Sequence, residues 1–394
     1  MTTLRSALQL VARELESGKR VPAPAGGDPR PAPRPLAQDL APAELEALLA
    51  ELGQPRYRAR QVFHWLHARG ATRWDQMTDL PAALRLELAE RLDLAPGTVV
   101  ADQRSVDGTR KLLIRLCDGQ TIEAVGIPTD QGRLTVCVST QAGCALACGF
   151  CATGEMGLAR NLTPGEVVSQ VYQFDTPHAR PDERLVTNVV FMGMGEPLHA
   201  YDTTVRAVRL LADPGGLGLS PRRVTISTSG LAPQMRRLAG EGLDVRLAVS
   251  LHAPNDAVRS SLMPINRRYP MREVLAAARD FAAETDRRVS FEYVMLAGIN
   301  DASDHAVELA RVLRAALPKP LLHVNLIPYN PTAAGFQGSS AEAIRRFAET
   351  LQTAGVRVTV RASRGRDIDA ACGQLKTNAE PRGDAPVPDS RSER

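Results

Sequence analysis

The sequence predicts an α/β fold: a parallel sheet with crossover helices, preceded by a small helical domain and a β-hairpin connector. Three observations carry this expectation. From residue 133 onward, short apolar runs alternate with amphipathic stretches of helical period. Between residues 98 and 129, three strand-like runs are separated by the turn pairs Asp107-Gly108 and Asp118-Gly119. Before them, apolar residues recur at helical spacing: Leu45, Leu48, Leu49 and Leu52, then Val62, Phe63, Trp65 and Leu66, then Leu84, Leu86, Leu88 and Leu92.

In chain order, residues 1–42 read as a disordered extension, because the Pro-, Ala- and Gly-rich stretch Val21–Pro42 cannot build a core. Residues 43–97 form the helical accessory domain and residues 98–129 the connector, with strands Val99–Arg104, Lys111–Cys117 and Thr121–Ile127. Residues 130–376 form the core. Its strands are expected at Leu134–Ser139, Asn188–Met192, Arg223–Ser227, Val245–Ser250, Val289–Met295, His323–Ile327 and Val356–Arg361. Helices such as Pro164–Phe174, Met271–Thr285, Ala302–Ala316 and Ser340–Ala354 lie between them. This alternation suits a sheet that is either open or closed into a barrel. Residues 377–394 are polar and read as a frayed tail.

Composition excludes some classes of function. Of the 394 residues, 44% are hydrophobic and 23% charged, as in ordinary globular proteins. No apolar run approaches the ~20 residues of a membrane span, and Met1–Arg20 has no apolar leader core, so a cytoplasmic protein without membrane contact is expected. A net charge of +4 permits an RNA partner without requiring one, and 4% aromatic residues leave little for stacking platforms.

Chemistry concentrates after the strands. Cys144–Cys151, Gly193–Pro197, Ser227–Gly230, Ser250–His252 and Tyr329–Pro331 all follow predicted strands, and in a βα barrel such loops gather at one face. Of six cysteines, Cys137, Cys144, Cys148 and Cys151 fall within 15 residues, while Cys117 and Cys372 stand apart. A disulfide scaffold does not suit a long cytoplasmic chain. Cys144-x3-Cys148-x2-Cys151 supplies three thiolates with no matching second pair, which suits a four-iron cluster with one open iron; a structural zinc is the alternative.

The triad after the first core strand resembles the radical S-adenosylmethionine (SAM) superfamily, and Gly193–Pro197 resembles its Gly-Glu motif. Longer stretches narrow the resemblance. Cys144–Cys151, Met192–Pro197, Arg222–Gly230, Ser250–Asp256 and Asp367–Leu375, with Tyr57–Trp65 and Trp74–Leu80 in the helical part, look like the RNA adenine-C2 methyltransferase family from about Leu40 to Lys376. The resemblance implies a partial, TIM-like (β/α) barrel of the radical-SAM type. Cys144, Cys148 and Cys151 would hold one [4Fe-4S] cluster. Gly195, Glu196, Ser227, Ser250, Leu251, His252 and Asn330 would bind SAM. Helix capping by the serines and a core position for His252 are the plainer alternatives.

The resemblance also implies a reaction. Carbon 2 of adenine, between two ring nitrogens, is electron-poor and suited to radical addition. Cys372 would accept a methyl group from one SAM, and a second SAM would yield the radical that activates it, two per turnover. Glu123 would remove the carbon-2 proton as base, and Cys137 would release the product through a transient disulfide with Cys372. On their own, Glu123 could face solvent and Cys137 could be a buried structural thiol. The family carries a hydrophobic or aromatic residue where Gly126 stands, which predicts a looser wall beside Glu123. Cys117 has no counterpart.

The implied partners are 23S rRNA, tRNA and a reductant protein such as flavodoxin. Arg222, Arg223, Arg267, Arg268, Arg361, Arg364 and Arg366, with Arg56, Arg58 and Arg60 from the helical domain, are the candidate RNA contacts. A carbon-8 rRNA methyltransferase and a zinc-bearing, non-catalytic RNA-binding module are the competing functions.

Overall fold

A computed structural model of the chain describes residues 34–94, 96–129, 132–175, 185–331, 335–361, 364–365, 367–368 and 375–376. The expected extension up to residue 33 and the tail from residue 377 lie outside the described residues. The helical part consists of α1 (Pro42–Glu51), α2 (Tyr57–His67) and α3 (Ala82–Arg91). Proline at the start of α1 costs no hydrogen bond there, and Glu44 reaches back to accept the Ala41 N–H at 2.7 Å. On α2 the buried residues Ala59, Val62, Phe63 and Leu66 follow the helical repeat.

The expected boundary at residue 43 falls too late. Arg34 pairs with Asp93 at 2.7 Å, Leu36 and Ala37 are buried, and Gln38 donates to the Leu94 carbonyl at 3.1 Å. A short apolar anchor inside a proline-rich stretch is invisible to average composition. Nor does the helical part keep a core of its own: one apolar cluster runs from Ala37 through Phe63 and Leu66 into the sheet. His67, buried at the end of α2, shares a 2.8 Å hydrogen bond with the Tyr172 hydroxyl of α5 (Pro164–Tyr172).

Among the described residues, ten strands make one sheet, numbered here in chain order and arranged β1-β2-β3-β4-β7-β8-β9-β10-β11-β12, with the ranges that follow. β1 (Thr98–Arg104), β2 (Arg110–Arg115) and β3 (Thr121–Pro128) are antiparallel, and β3 pairs antiparallel with β4 (Leu134–Cys137). The connector is therefore an extension of the core sheet. From β4 onward the pairing is parallel through β7 (Val186–Phe191), β8 (Val224–Thr228), β9 (Arg246–Ser250), β10 (Val289–Met295), β11 (Leu322–Pro328) and β12 (Arg357–Val360). Each core strand begins and ends within two residues of its expected limits. β5 (Gln141–Gly143) and β6 (Leu158–Asn161) form a separate ribbon.

The crossovers are helical: α4 (Ala152–Glu155) and α5 before β7, α6 (Tyr201–Ala212) before β8, α7 (Ala232–Ala239) before β9, α8 (Asp256–Leu262) and α9 (Met271–Thr285) before β10, α10 (Ser303–Ala316) before β11, and α11 (Ala341–Thr353) before β12. This is the α/β arrangement expected, a mostly parallel sheet with helical crossovers. It sends the loop after every parallel strand to the same end of the sheet. No helix among the described residues is long and apolar enough to cross a membrane.

Candidate active site

The loops after the parallel strands enclose a cavity of about 580 Å3. It brings together Glu123 and Cys137 from β3 and β4, Cys151 from the cysteine loop, Gly195 and Glu196 after β7, Ser227 of β8, Ser250 and His252 from the end of β9, and Asn330 after β11. Leu251 is fully buried and does not line it; its N–H donates to the Glu292 carbonyl at 3.1 Å. Cys372 lies outside the described residues.

The cysteine loop is pinned by its backbone. The Cys144 N–H donates to the Gly157 carbonyl at 2.8 Å, and that of Cys151 to the Cys148 carbonyl at 3.1 Å. Gly143 is at φ +83°, and a Cβ there would stand 1.9 Å from the Gly157 oxygen, so no larger residue fits. Burial pushes the Cys144 thiol up to about 12 and raises Cys148 and Cys151 as well. The sulfurs add to one another's shifts, so they lie close enough to repel as thiolates. A cationic core removes both penalties, and the donor set suits an iron–sulfur cluster. No three His, Cys, Asp or Glu side chains among the described residues converge as one metal ion requires.

Glu196 is buried, and its carboxylate is aimed by two backbone donors, Leu198 N–H at 3.0 Å and Ser229 N–H at 2.7 Å. Burial raises its carboxyl against these donors. Gly195 before it sits at φ +97°, where a Cβ would strike the Gln141 side chain at 2.5 Å. Gln141 in turn accepts the Glu196 N–H at 2.7 Å and contacts Asn161 and His199.

His252 adopts φ +57°, a left-handed conformation that a buried non-glycine residue holds only when its surroundings impose it. Its Nδ1 accepts the Val294 N–H at 3.0 Å, so the neutral ring carries its proton on Nε2. Burial, with Arg259 nearby, lowers it to about 3, which keeps it uncharged at neutral pH. Ser227 and Ser250 end strands and cap no helix; the described serine and asparagine caps are at Asn255 and Ser340.

Glu123 is not a solvent-facing residue: it is 2% exposed. Glu123, Val125 and Ile127 alternate onto the cavity face of β3, and Cys137 stands opposite Val125. Burial pushes the Cys137 thiol up to about 11, against the pull of Arg361 and Lys111. Glu123 Oε2 is 3.0 Å from Lys111 Nζ, and Oε1 accepts the Lys376 N–H at 2.8 Å. The expected loose wall is absent. Strand alternation turns Gly126 to the opposite face, where a Cβ would lie 2.5 Å from the Phe174 ring, so that ring already fills the space.

The described residues that flank Cys372 in the sequence are hydrogen-bonded to the β1–β2 turn and to β3. Asp367 accepts from Ser105 Oγ at 2.5 Å and from the Val106 N–H at 3.0 Å, and Asp107 accepts the Gly365 N–H at 2.9 Å. On the far side, Lys376 donates from its N–H to Glu123 and from Nζ to the Thr121 carbonyl at 3.1 Å. Cys372 is four positions before Lys376, a span of at most about 14 Å.

The arginine candidates divide. Arg361 and Arg364 line the cavity. Arg222 and Arg223 precede β8, at the strand starts and away from the cavity, with Arg222 paired to Asp244 at 3.0 Å. Arg56 pairs with Glu46 at 2.5 Å, and Arg58 donates to Gln61 at 2.7 Å. Arg366 lies outside the described residues.

Sequence reading missed Lys111, Gln141, Arg259 and Glu292. Arg259 is fully buried, donating to the Ser229 carbonyl at 2.5 Å and Asn266 at 2.7 Å, and its charge opposes the rise of the Cys148 thiol. Glu292 lines the cavity and accepts from Asn325 at 2.7 Å. A lone charge inside an apolar strand was the available signal for Glu292.

Comparison with known proteins agrees with this geometry. Residues 138–310 match the Radical SAM superfamily, and residues 38–94 match the ribosomal RNA large subunit methyltransferase N-terminal domain. The dual-specificity RNA methyltransferase RlmN of Anaeromyxobacter sp. (strain Fw109-5) is 47% identical over 92% of this chain and 97% of its own. That of Anaeromyxobacter dehalogenans (strain 2CP-C) is 49% identical over 90% and 94%. A crystal structure of a radical SAM methyltransferase from Sphaerobacter thermophilus superposes with a TM-score of 0.82 at 54% identity, covering 86% of this chain and 98% of that one.

Fold, site and these matches define a SAM-dependent RNA methyltransferase of the radical SAM superfamily. The chain belongs to the RlmN family of dual-specificity RNA methyltransferases. The superfamily uses SAM and a [4Fe-4S] cluster, and the alternative of a zinc-bearing module without catalysis falls.

Proposed function

We propose that this enzyme methylates carbon 2 of a specific adenine in 23S rRNA and of the adenine beside the anticodon in tRNAs, with two SAM molecules per turnover. When bound, the cluster and SAM supply a 5′-deoxyadenosyl radical, fed by a reductant of the flavodoxin kind. Cys144, Cys148 and Cys151 would hold the cluster, and Glu196, with Gly195, Ser227, Ser250, Leu251, His252 and Asn330, would hold SAM. Cys372 carries the methyl group into the reaction. Glu123 takes the proton from carbon 2 once the carbon–carbon bond has formed, and the adduct's unpaired electron would leave to a one-electron acceptor, a role the cluster could fill, so that a closed-shell thioether remains. Cys137 then attacks the Cys372 sulfur: an S–S bond forms, the C–S bond breaks, and its electron pair goes to the methyl carbon, which takes a proton. The reaction would take place in the cytoplasm, with the RNA.

The observation that carries this reading is the shared cavity: Glu123 and Cys137 open into the same space as Cys151 and Glu196, and Lys376, four positions after Cys372 in the sequence, donates to Glu123. Nucleoside mass spectrometry of rRNA and tRNA from cells lacking the protein tests it. Loss of 2-methyladenosine from both RNAs is expected; loss of 8-methyladenosine instead would overturn the assignment.

A further inference from the structure

A lysine side chain with no exposed surface needs a reason to be there. Lys111 lies on β2 among Leu112, Leu113 and Ile114, is 0% exposed, and meets the Glu123 carboxylate at 3.0 Å. Register explains how: Lys111 stands opposite Val125 and Glu123 opposite Leu113, so the pair is diagonal across two antiparallel strands on one face. Val125 is in turn opposite Cys137, and Val125 and Cys137 both line the cavity. The ammonium thus stands on the cavity-facing side of the sheet, one strand beyond the carboxylate, without lining the cavity itself.

Stability alone is a poor explanation for such a pair. Taking two charges out of water costs about what their attraction returns, and apolar residues of similar volume usually serve as well or better. Solvent-facing lysines on an edge hairpin have no such cost, and the neighbouring Arg110 and Arg115 are at least partly exposed. What the buried ammonium does provide is orientation. It takes Oε2, while Oε1 accepts the Lys376 N–H at 2.8 Å, so the two carboxylate oxygens have different partners and the carboxylate plane is fixed. Burial disfavours a lone carboxylate charge, and an ammonium at contact distance offsets that cost.

We propose that Lys111 is a positioning residue for proton removal: it fixes the plane of the Glu123 carboxylate through Oε2. This rests on the reading of Glu123 as the base. Lys111 also pulls on the Cys137 thiol, so its loss would act on proton removal and on the release step that follows it, and not on cluster assembly or Cys372 methylation.

The test uses reconstituted full-length enzyme with RNA, comparing wild type, Lys111→Met, Lys111→Arg and Glu123→Gln. Iron content, SAM affinity by calorimetry, S-methylation of Cys372 by peptide mass spectrometry, and covalent RNA–enzyme adduct on a denaturing reducing gel are read for each. Lys111→Met is expected to keep iron, SAM affinity and methylated Cys372. Its turnover should fall about a hundredfold, the lower range for a general base, while the RNA adduct accumulates. Lys111→Arg should restore turnover at least in part, because a guanidinium still supplies a charged donor to Oε2. Wild-type turnover in Lys111→Met overturns the inference. So does a loss spread over iron, SAM binding and methylation that Lys111→Arg does not rescue, since that is the signature of a structural strut. If Glu123→Gln stalls with adduct and Lys111→Met does not, only the role of Lys111 fails. If Glu123→Gln turns over normally, the base assignment itself fails, and the inference with it.

Discussion

Ser105 and Asp367 are 262 positions apart, yet the Ser105 hydroxyl donates to the Asp367 carboxylate at 2.5 Å. The contact fastens the segment before Cys372 onto the turn between β1 and β2, and the Val106 N–H completes it at 3.0 Å. The two donors hold the Asp367 carboxyl below the usual range. Burial opposes the neighbouring Asp107, but the Gly365 N–H and Thr109 hold it well below that range.

Asp367→Ala removes both bonds on one side of the segment. A bond to a charged group is worth about 1.5–3 kcal/mol, so methylated RNA should fall roughly tenfold or more if that energy positions Cys372. Iron content and SAM affinity should be unchanged, and 5′-deoxyadenosine should form in excess over methylated RNA. Tightly coupled cleavage and methylation in this variant would show that the fastening has no part in positioning.

Gly126 and Phe174 share one volume. Gly126→Tyr should destabilise the enzyme by about 1–3 kcal/mol through overpacking, seen as a lower Tm. Adding Phe174→Ala should recover much of the loss, because the new ring takes the vacated space. Additive losses in the double variant would mean that the two positions do not compete.

Cys144→Ala, Cys148→Ala and Cys151→Ala should each lose bound iron and SAM cleavage, as no fourth protein thiolate stands in the loop. Glu196→Ala differs in kind: the iron absorbance should persist while SAM affinity drops on calorimetry. Full iron retention in any of the cysteine variants contradicts the ligand assignment, and unchanged SAM affinity removes Glu196 from the site.

Cys137→Ala should stall with RNA joined to Cys372 through a carbon–sulfur bond that thiol reductants do not cleave. In the unmodified enzyme, burial raises the Cys137 thiol to about 11, so below that pH its thiolate fraction grows about tenfold per pH unit. Release of methylated RNA from a preformed adduct should therefore speed up between pH 7.5 and 8.5. A flat profile, or an adduct mapped to Cys117, rules out Cys137 as the attacking thiol.

Local sequence determined the order of strands and helices, because side-chain period is a property of neighbouring residues and survives in any tertiary setting. It likewise determined the cysteine loop and the glycine-bounded Glu196 turn, whose parts are contiguous. Tertiary structure decided everything that depends on register and sheet order. Arg222 and Arg223 looked like cavity residues until strand direction put them at the opposite end. Gly126 looked like a gap beside Glu123 until the pleat turned it toward Phe174. Lys111 was only the first residue of an expected strand until pairing with β3 buried it against Glu123. Such contacts join residues whose separation along the chain carries no period, so only the packed sheet brings them together.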